Sequence, residues 1–257
     1  MTEPILKLDN IVKTYRAFEG IFKGSSTIIN AVDNISLEIQ KGRSLGVVGE
    51  SGSGKTTLAK IIADIIKPNS GEVSFHGTRL SELNDYNNYR KNVQVVFQDP
   101  YLSLNPKLTI FSAMKDALKI HGYNGDLRKI CGDYLELVGL EREHLDRYPH
   151  EFSGGQRQRV SIARALSLEP ELIIADEPVS SLDVSVQAQI LNLMKKLKLE
   201  KGVTFILISH DLAVVSYLCD DVIVMQNGKM VEYGTVDNVL KNPEKEYTRD
   251  LLEASGG

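Results

Sequence analysis

The feature that most constrains this chain is a glycine-rich octapeptide set between an apolar strand pattern and a helical pattern. The compact apolar run Leu45-Gly-Val-Val48 leads directly into Gly49-Glu-Ser-Gly-Ser-Gly-Lys-Thr56, and a helical pattern follows from Lys55 to Ile66. Glycines let the backbone curl so that successive N–H groups point inward, and a helix N-terminus adds a partial positive charge. The segment therefore predicts an anion-binding turn.

The octapeptide satisfies the whole phosphate-binding P-loop pattern, including the lysine and threonine after the last glycine. Lys55 would neutralise the β- and γ-phosphates of a nucleotide, and the Thr56 hydroxyl would ligate Mg²⁺. A glycine-rich turn without a ligand is the alternative, but such a turn does not need both of these residues. The predicted nucleotide-binding residues here are Gly49, Glu50, Ser51, Gly52, Ser53, Gly54, Lys55, Thr56 and Thr57.

The rest of the chain predicts an α/β fold with a mostly parallel sheet, because short apolar runs alternate with helical patterns. These runs are Val93–Phe97, Leu172–Ala175, Thr204–Ile208 and Val222–Met225. Residues 5–9 and 35–39 alternate apolar and polar side chains, as half-buried antiparallel strands do. An exposed loop is expected over Ala17–Asn30.

Helical periodicity without a clear strand pattern fills the middle of the chain. We therefore predict a single domain over residues 1–257, in which a helical subdomain (100–168) is inserted into an α/β core that also carries an antiparallel β subdomain (1–99 and 169–257).

Composition excludes several classes of protein. The net charge of −4 carries no basic signature for nucleic acid, and the apolar runs are too short to cross a bilayer. The first residues show no secretory signal. Cys131 and Cys219 lie far apart without metal-ligand spacing, so we expect free thiols in a reducing compartment. These observations predict a cytosolic protein that reaches a membrane only through a partner.

A pair of carboxylates follows one of the apolar runs. Asp176 and Glu177 come directly after Leu172–Ala175, and strands of an open α/β sheet present their carboxyl ends to the ligand. Asp176 would hold Mg²⁺, and Glu177 would orient or deprotonate an attacking water. Alone, such a pair at the end of a strand is more often a solvated turn; downstream of a complete P-loop, we interpret it as catalytic.

A second glycine-containing helix start lies at Ser153-Gly-Gly-Gln156, where Ser153 is predicted to be the N-cap. Together with the following Arg-Gln-Arg, it resembles the signature of ABC ATPases. That resemblance implies the ABC ATPase fold, ATP as the nucleotide, and a head-to-tail dimer in which Ser153, Gly154, Gly155 and Gln156 act on ATP bound by the other subunit.

The resemblance extends to single residues along the chain. Gln98 is similar to the Q-loop glutamine, which contacts Mg²⁺, and Asp183 in Ser181-Leu-Asp to the D-loop aspartate. His210 is similar to the switch histidine that contacts the γ-phosphate, and Tyr15 to the aromatic residue that stacks on adenine.

Three longer segments resemble the importer ATPases of the oligopeptide, dipeptide and nickel uptake family: Phe97–Pro106, Tyr148–Ser153 and Ser181–Ile190. This resemblance implies a second, non-identical ATPase subunit, two membrane permeases, an external binding protein, and a place on the cytoplasmic face of the membrane. The family's His-Pro-Tyr-Thr motif is incomplete here, since Asn242-Pro-Glu-Lys-Glu-Tyr-Thr-Arg249 lacks the histidine. The short tail after it is more similar to the nickel or metal-chelate members.

Other functions stay open at this point. An ABC exporter ATPase, a non-transport ABC ATPase and an ATP-binding protein that never hydrolyses are the alternatives. The sequence does not determine whether the cargo is a peptide, nickel, cobalt or a metal chelate, nor whether the two ATPase subunits are identical.

Overall fold

The computed structural model describes residues 3–18, 26–99, 104–180 and 182–254. The chain forms two compact units, one from Met1–Asn84 with Leu207–Gly257 and the other from Asp85–Ile206. No helix in the described ranges is both long and apolar enough to cross a membrane.

The first unit contains an antiparallel sheet and three strands of a second sheet. The antiparallel strands are β1 (Leu6–Phe18), β2 (Ser26–Ile39), β4 (Ser70–Phe75) and β5 (Thr78–Arg79), in the order β2-β1-β4-β5. The other three are β3 (Leu45–Val48), β9 (Asp221–Gln226) and β10 (Lys229–Thr235), with β3 parallel to β9 and β9 antiparallel to β10. The helices of this unit are α1 (Lys55–Ile62), α7 (Leu212–Leu218), α8 (Val236–Lys241) and α9 (Glu246–Ala254).

The second unit combines parallel strands with most of the helices. Its strands are β6 (Val93–Val96), β7 (Leu172–Asp176) and β8 (Thr204–Ile208), in the order β8-β7-β6; β8 begins in this unit and ends in the other. Its helices are α2 (Tyr86–Asn92), α3 (Ile110–Ile120), α4 (Leu127–Leu137), α5 (Gly154–Leu166) and α6 (Val184–Lys201). β7 carries only buried apolar side chains before Asp176, as a strand covered on both faces does.

The mixed α/β architecture with parallel and antiparallel strands is confirmed. The early strands are longer than predicted, because the hairpin of β1 and β2 continues into the expected loop: Tyr15 pairs with Ile29 and Phe18 with Ser26. Residues 19–25 of that expected loop lie outside the described residues. The predicted limits of the helical subdomain stay a prediction.

Helix α1 ends at Ile62, four residues before the predicted end. Asp64 adopts a left-handed backbone with φ +55°, and the N–H groups of Ile65 and Ile66 turn back to the carbonyl of Lys60. A left-handed residue just past the last turn is a common way for a helix to end. The predicted helix was therefore too long, because the apolar side chains of Ile65 and Ile66 continue the helical periodicity after the helix has ended.

Candidate functional site

Two positions in the turn between β3 and α1 have room only for glycine. Gly49 has φ +143° and Gly54 has φ +107°. A Cβ atom on Gly49 would lie 2.2 Å from the carbonyl oxygen of Met225, and one on Gly54 would lie 2.0 Å from that of Ala31. The turn is thus held directly against the backbones of β2 and β9, and only glycine fits at these two points.

Lys55 places a cation inside this turn. Its side chain is buried, with 7% of the residue exposed, and its Nζ donates to the carbonyl oxygens of Gly49 (2.7 Å) and Glu50 (2.8 Å). The first turn of α1 has no acidic residue, so nothing there offsets the positive end of the helix dipole. Thr56 is exposed and Thr57 is half-buried on the same turn. The arrangement suits a highly charged anion.

Two backbone hydrogen bonds hold Ser53, one within the turn and one to Gly228, which lies between β9 and β10. Its N–H donates to the carbonyl of Glu50 (3.2 Å), and its carbonyl accepts the N–H of Gly228 (3.0 Å). Within the described part of the chain, the buried Ser53 hydroxyl has no hydrogen-bond partner. Buried hydroxyls are seldom left unpaired, and a polar group bound in the turn fits this one.

Tyr15 lies on β1, which pairs with β2, the strand that contacts the glycine-rich turn. It pairs with Ile29 on β2, and Ala31, two residues further along β2, lies against Gly54. The Tyr15 residue is 43% exposed, and Lys13 Nζ lies over its ring, 5.6 Å from the centroid. The side chain is thus accessible from solvent.

His210 follows β8 and lies at the carboxyl end of β3. The preceding residue, Ser209, donates its N–H to the carbonyl of Val47 (3.2 Å), and β3 enters the glycine-rich turn at this end. Asp211 caps α7 by accepting the N–H groups of Ala213 and Val214. The cap fixes the backbone on one side of His210, whose side chain is exposed.

In the second unit, the structure brings two separately predicted residues into contact. β6 and β7 are parallel, and Val96 is paired with Ala175. Gln98 and Glu177 each lie two residues beyond these positions, and Gln98 Nε2 donates to Glu177 Oε2 (3.0 Å). The same amide donates to Ser180 Oγ (3.3 Å), a contact that the sequence did not indicate. Adjacent strand ends therefore combine an amide, a carboxylate and a hydroxyl.

Glu177 also has an unusual backbone. Its φ is +45°, a left-handed conformation that is uncommon for a residue with a side chain. Its carbonyl accepts the N–H (3.4 Å) and the hydroxyl (3.2 Å) of Ser180, which stabilise the turn. Strained backbone of this kind occurs often at functional sites.

The residues predicted to hold Mg²⁺ all offer oxygen ligands: the Thr56 hydroxyl, the Gln98 amide and the Asp176 carboxylate. Such ligands suit Mg²⁺, which is usually bound by one or two carboxylates together with phosphate oxygens. The described residues contain no cluster of three or more His, Cys, Asp or Glu side chains that could hold a metal ion alone. The donor set fits an ion that arrives with the phosphates.

The predicted N-cap of α5 is confirmed as a reciprocal capping box. Ser153 Oγ accepts the N–H of Gln156 (3.3 Å), and Gln156 Oε1 accepts the N–H of Ser153 (3.0 Å). A Cβ atom on Gly155 would lie 2.5 Å from Val186 Cγ1, whereas one on Gly154 would make an ordinary 3.7 Å contact. Gly155 is thus needed for the close approach of α5 to the first turn of α6.

Asp183 caps α6 by accepting the N–H of Val186 (3.0 Å), a structural role beside the predicted D-loop role. Ser181 of the predicted D-loop, and residues 100–103 of the segment Phe97–Pro106, lie outside the described residues.

One contact to the glycine-rich turn was missed from the sequence. The N–H of Glu50 donates to the hydroxyl of Tyr247 on α9 (3.3 Å). The signal was present in the Tyr-Thr pair of the incomplete tail motif, although nothing in that pattern indicates which part of the fold it contacts.

The chain is similar to known proteins in both sequence and fold. The family model described as ABC transporter matches residues 32–180. The chain is 46% identical, over 99% of its own length and 83% of the relative's, to the oligopeptide transport ATP-binding protein OppF of Streptococcus mutans serotype c. It is 43% identical to the glutathione import ATP-binding protein GsiA of Pectobacterium atrosepticum, over 98% of this chain and 41% of that one.

A solved structure is also similar over most of the chain. It is an ATP-binding cassette in a dimeric, post-hydrolysis state bound to ADP and Pi, with a TM-score of 0.77 and 32% identity over 90% of this chain and 98% of the other.

Proposed function

Because this chain belongs to the ABC transporter family and hydrolyses ATP to ADP and phosphate in support of solute translocation, we propose that it powers the uptake of peptides. The observation that carries this proposal is the 46% identity, across 99% of the chain, to an oligopeptide transport ATP-binding protein. As a transporter ATPase it works with a second ATPase domain and with membrane permeases. We propose that the two ATPase subunits are non-identical, that there are two permeases and an external binding protein, and that the complex places this chain peripherally on the cytoplasmic face of the membrane.

We propose that ATP binds in the turn Gly49–Thr56, with Thr57 beside it and its adenine stacked on Tyr15. Lys55 would exchange its bonds to two loop carbonyls for bonds to the phosphates, at little cost because its ammonium is already held there. Mg²⁺, held by Thr56, Gln98 and Asp176, would neutralise charge on the β- and γ-phosphates.

In the hydrolysis step, Glu177 would accept a hydrogen bond from the attacking water and orient it toward the γ-phosphate, with His210 holding the phosphate geometry. This role fits the contact between Gln98 and Glu177, because the glutamine amide fixes the carboxylate in one orientation. Catalysis of phosphoryl transfer is mainly positioning and charge stabilisation.

The N-terminus of α5 would act on ATP bound by the other subunit. The capping box uses the N–H groups of Ser153 and Gln156, and the N–H groups of Gly154 and Gly155 belong to the same first turn. Helix N-termini bind phosphate through such groups. In a head-to-tail dimer, with Asp183 near the junction, bound ATP would hold the subunits together and hydrolysis would release them.

Uptake in cells tests the cargo. Cells carrying the wild-type chain, Glu177→Gln or the control Glu200→Gln, which changes an exposed glutamate on α6, take up a labelled oligopeptide and labelled nickel in parallel. We expect peptide uptake to fall to background only in Glu177→Gln, and nickel uptake to stay unchanged.

Loss of nickel uptake alone would replace the peptide proposal with a metal importer. If neither cargo is affected, the importer proposal fails and an exporter ATPase becomes the better hypothesis.

A further inference from the structure

The C-terminal helix α9 contacts the glycine-rich turn at the backbone of Glu50. Glu50 donates its N–H to the Tyr247 hydroxyl (3.3 Å), and its carbonyl accepts Lys55 Nζ (2.8 Å). The two peptide groups that flank this residue are thereby held by two different side chains, one by Lys55 within the turn and one by Tyr247 on α9.

Helix α9 is itself fixed by a buried carboxylate. Glu232 on β10 is only 9% exposed and accepts the N–H groups of Glu244 (2.9 Å) and Lys245 (3.3 Å), just before α9 begins. Burial by itself raises the pKa of Glu232, but the neighbouring Thr248 side chain and these two N–H groups outweigh it and lower the pKa below its usual value. The ionised carboxylate therefore anchors the start of the helix.

Two neighbouring residues of α9 have different surroundings: Tyr247 contacts the glycine-rich turn, and Thr248 lies beside Glu232 on β10. Consecutive side chains on a helix point about 100° apart, so one can face β10 while the next faces the turn. Thr248 is 1% exposed beside Glu232, and it is the one fully buried residue of α9 among those described. The hydrogen bonds to Glu232 thus fix the start of the helix near the turn.

We propose that Tyr247 is a positioning residue of the nucleotide site. Its hydroxyl keeps the peptide before Glu50 in the orientation that the phosphate-binding turn requires. Glycine-rich turns lose much conformational freedom when they become ordered, and ATP affinity falls in proportion to the fraction of molecules whose turn has the binding shape. This inference rests on the proposal that Gly49–Thr56 binds ATP.

The experiment compares Tyr247→Phe with a control, Tyr233→Phe, which removes a hydroxyl from a solvent-exposed tyrosine in the same unit. Mg-ATP binding to the purified full-length chain is measured by calorimetric titration, and turnover is measured at saturating ATP. Since one hydrogen bond changes an equilibrium by about two- to tenfold, we expect the Kd of Tyr247→Phe to rise by that factor. Its kcat should stay within about twofold, and the control should match the wild type.

A second variant separates positioning from a general loss of stability. Glu232→Gln weakens the anchor of α9 without touching the turn, so we expect it to raise the Kd for Mg-ATP through Tyr247. In the double variant Glu232→Gln/Tyr247→Phe, the Kd should then be no higher than in Tyr247→Phe alone, because both changes act on the same contact.

Lys55→Ala distinguishes failure of this inference from failure of the ATP site itself. If Lys55→Ala abolishes binding while Tyr247→Phe binds as tightly as the wild type, the positioning role is wrong and the ATP site stands. Full additivity in the double variant would also overturn the positioning role. If Lys55→Ala binds like the wild type, the assignment of the turn is wrong, and the role of Tyr247 fails with it.

Discussion

At the scale of single residues, Glu177 combines a left-handed backbone with a side chain held by Gln98. The sequence predicted a carboxylate at this strand end, because an apolar strand pattern is followed directly by Asp-Glu. The strained backbone and the bond to Ser180 were not predictable, because they depend on the register between β6 and β7 and on a turn that no local pattern specifies.

The proposed catalytic role of Glu177 gives a first prediction. Glu177→Gln keeps the shape of the side chain but removes the charge that polarises water, so we expect turnover to fall at least about 100-fold, within the range typical of a lost general base. Phosphate release is measured alongside Mg-ATP affinity, which should survive, and Glu200→Gln serves as control. Turnover within a few-fold of the wild type would show that another group activates the water.

The crowded glycines of the turn give a second prediction. Gly54→Ala should lower the free energy of unfolding by about 2–4 kcal/mol, because a Cβ atom 2.0 Å from the Ala31 carbonyl adds overpacking to a left-handed backbone. Gly52→Ala shares the positive φ but has nothing within 4 Å of its Cβ, so it should cost only about 1 kcal/mol. Urea unfolding measures both; equal losses would mean that crowding at Gly54 is relieved by movement of β2.

At the scale of elements, long periodic segments were predictable and short connecting ones were not. The helical periodicity in the middle of the chain corresponds to α3, α4 and α5, and the bounds of β8 agree with those predicted. By contrast, β4, β10, α2 and α7 to α9 were missed. β4 begins with Ser-Gly-Glu and is a strand because it pairs with β1, so pairing overrides a weak local propensity. The short helices rely on caps such as Asp85 and Asp211, which resemble ordinary turn residues.

The contact between α5 and α6 gives a prediction at this scale. Gly155→Ala forces a Cβ atom against Val186, so we expect the free energy of unfolding to fall by about 1–3 kcal/mol. Gly154→Ala has room and gains helix propensity, so the same measurement should show no loss of stability. Equal free energies of unfolding for the two variants would show that α5 and α6 can move apart without loss of stability.

The anchor of α9 predicts a dependence on pH. The folded-state pKa of Glu232 is depressed, so its contribution to stability is fully present above the unfolded value of about 4.3 and is lost as the pH falls through the folded value. The difference in free energy of unfolding between the wild type and Glu232→Gln should therefore be constant above about pH 5.5 and shrink below about pH 4. A difference that does not change over this range would place the stabilising group elsewhere.

At the scale of the whole molecule, the family and fold class predicted from the sequence are confirmed. The predicted site residues and the limits of the helical subdomain stay predictions. The family and the fold class were predictable because the motifs that carry the resemblance follow one another in a characteristic order along the chain. It could not indicate the contact between Tyr247 and Glu50, because residues 197 positions apart are brought together only by tertiary folding.

Assembly gives a prediction at this scale. If identical subunits could pair, the Glu177→Gln chain would accumulate with Mg-ATP as an ATP-dependent dimer, because bound nucleotide is retained. Since we propose non-identical subunits, we expect both Glu177→Gln and Glu177→Gln/Lys55→Ala to stay monomeric. Light scattering of the purified chain measures both. A dimer of the single variant alone would show that identical subunits can pair, and its absence would support a non-identical partner.

The polar attachment of α9 has a mechanical consequence for how this protein is handled. Glu232 holds the start of the helix, and Tyr247 in its first turn contacts the glycine-rich turn, so a load on the far end of α9 would be transmitted to this contact. A reporter or affinity tag fused C-terminal to α9 would apply such a load. If the positioning role of Tyr247 holds, ATP affinity in such fusions would vary with the length and stiffness of the linker.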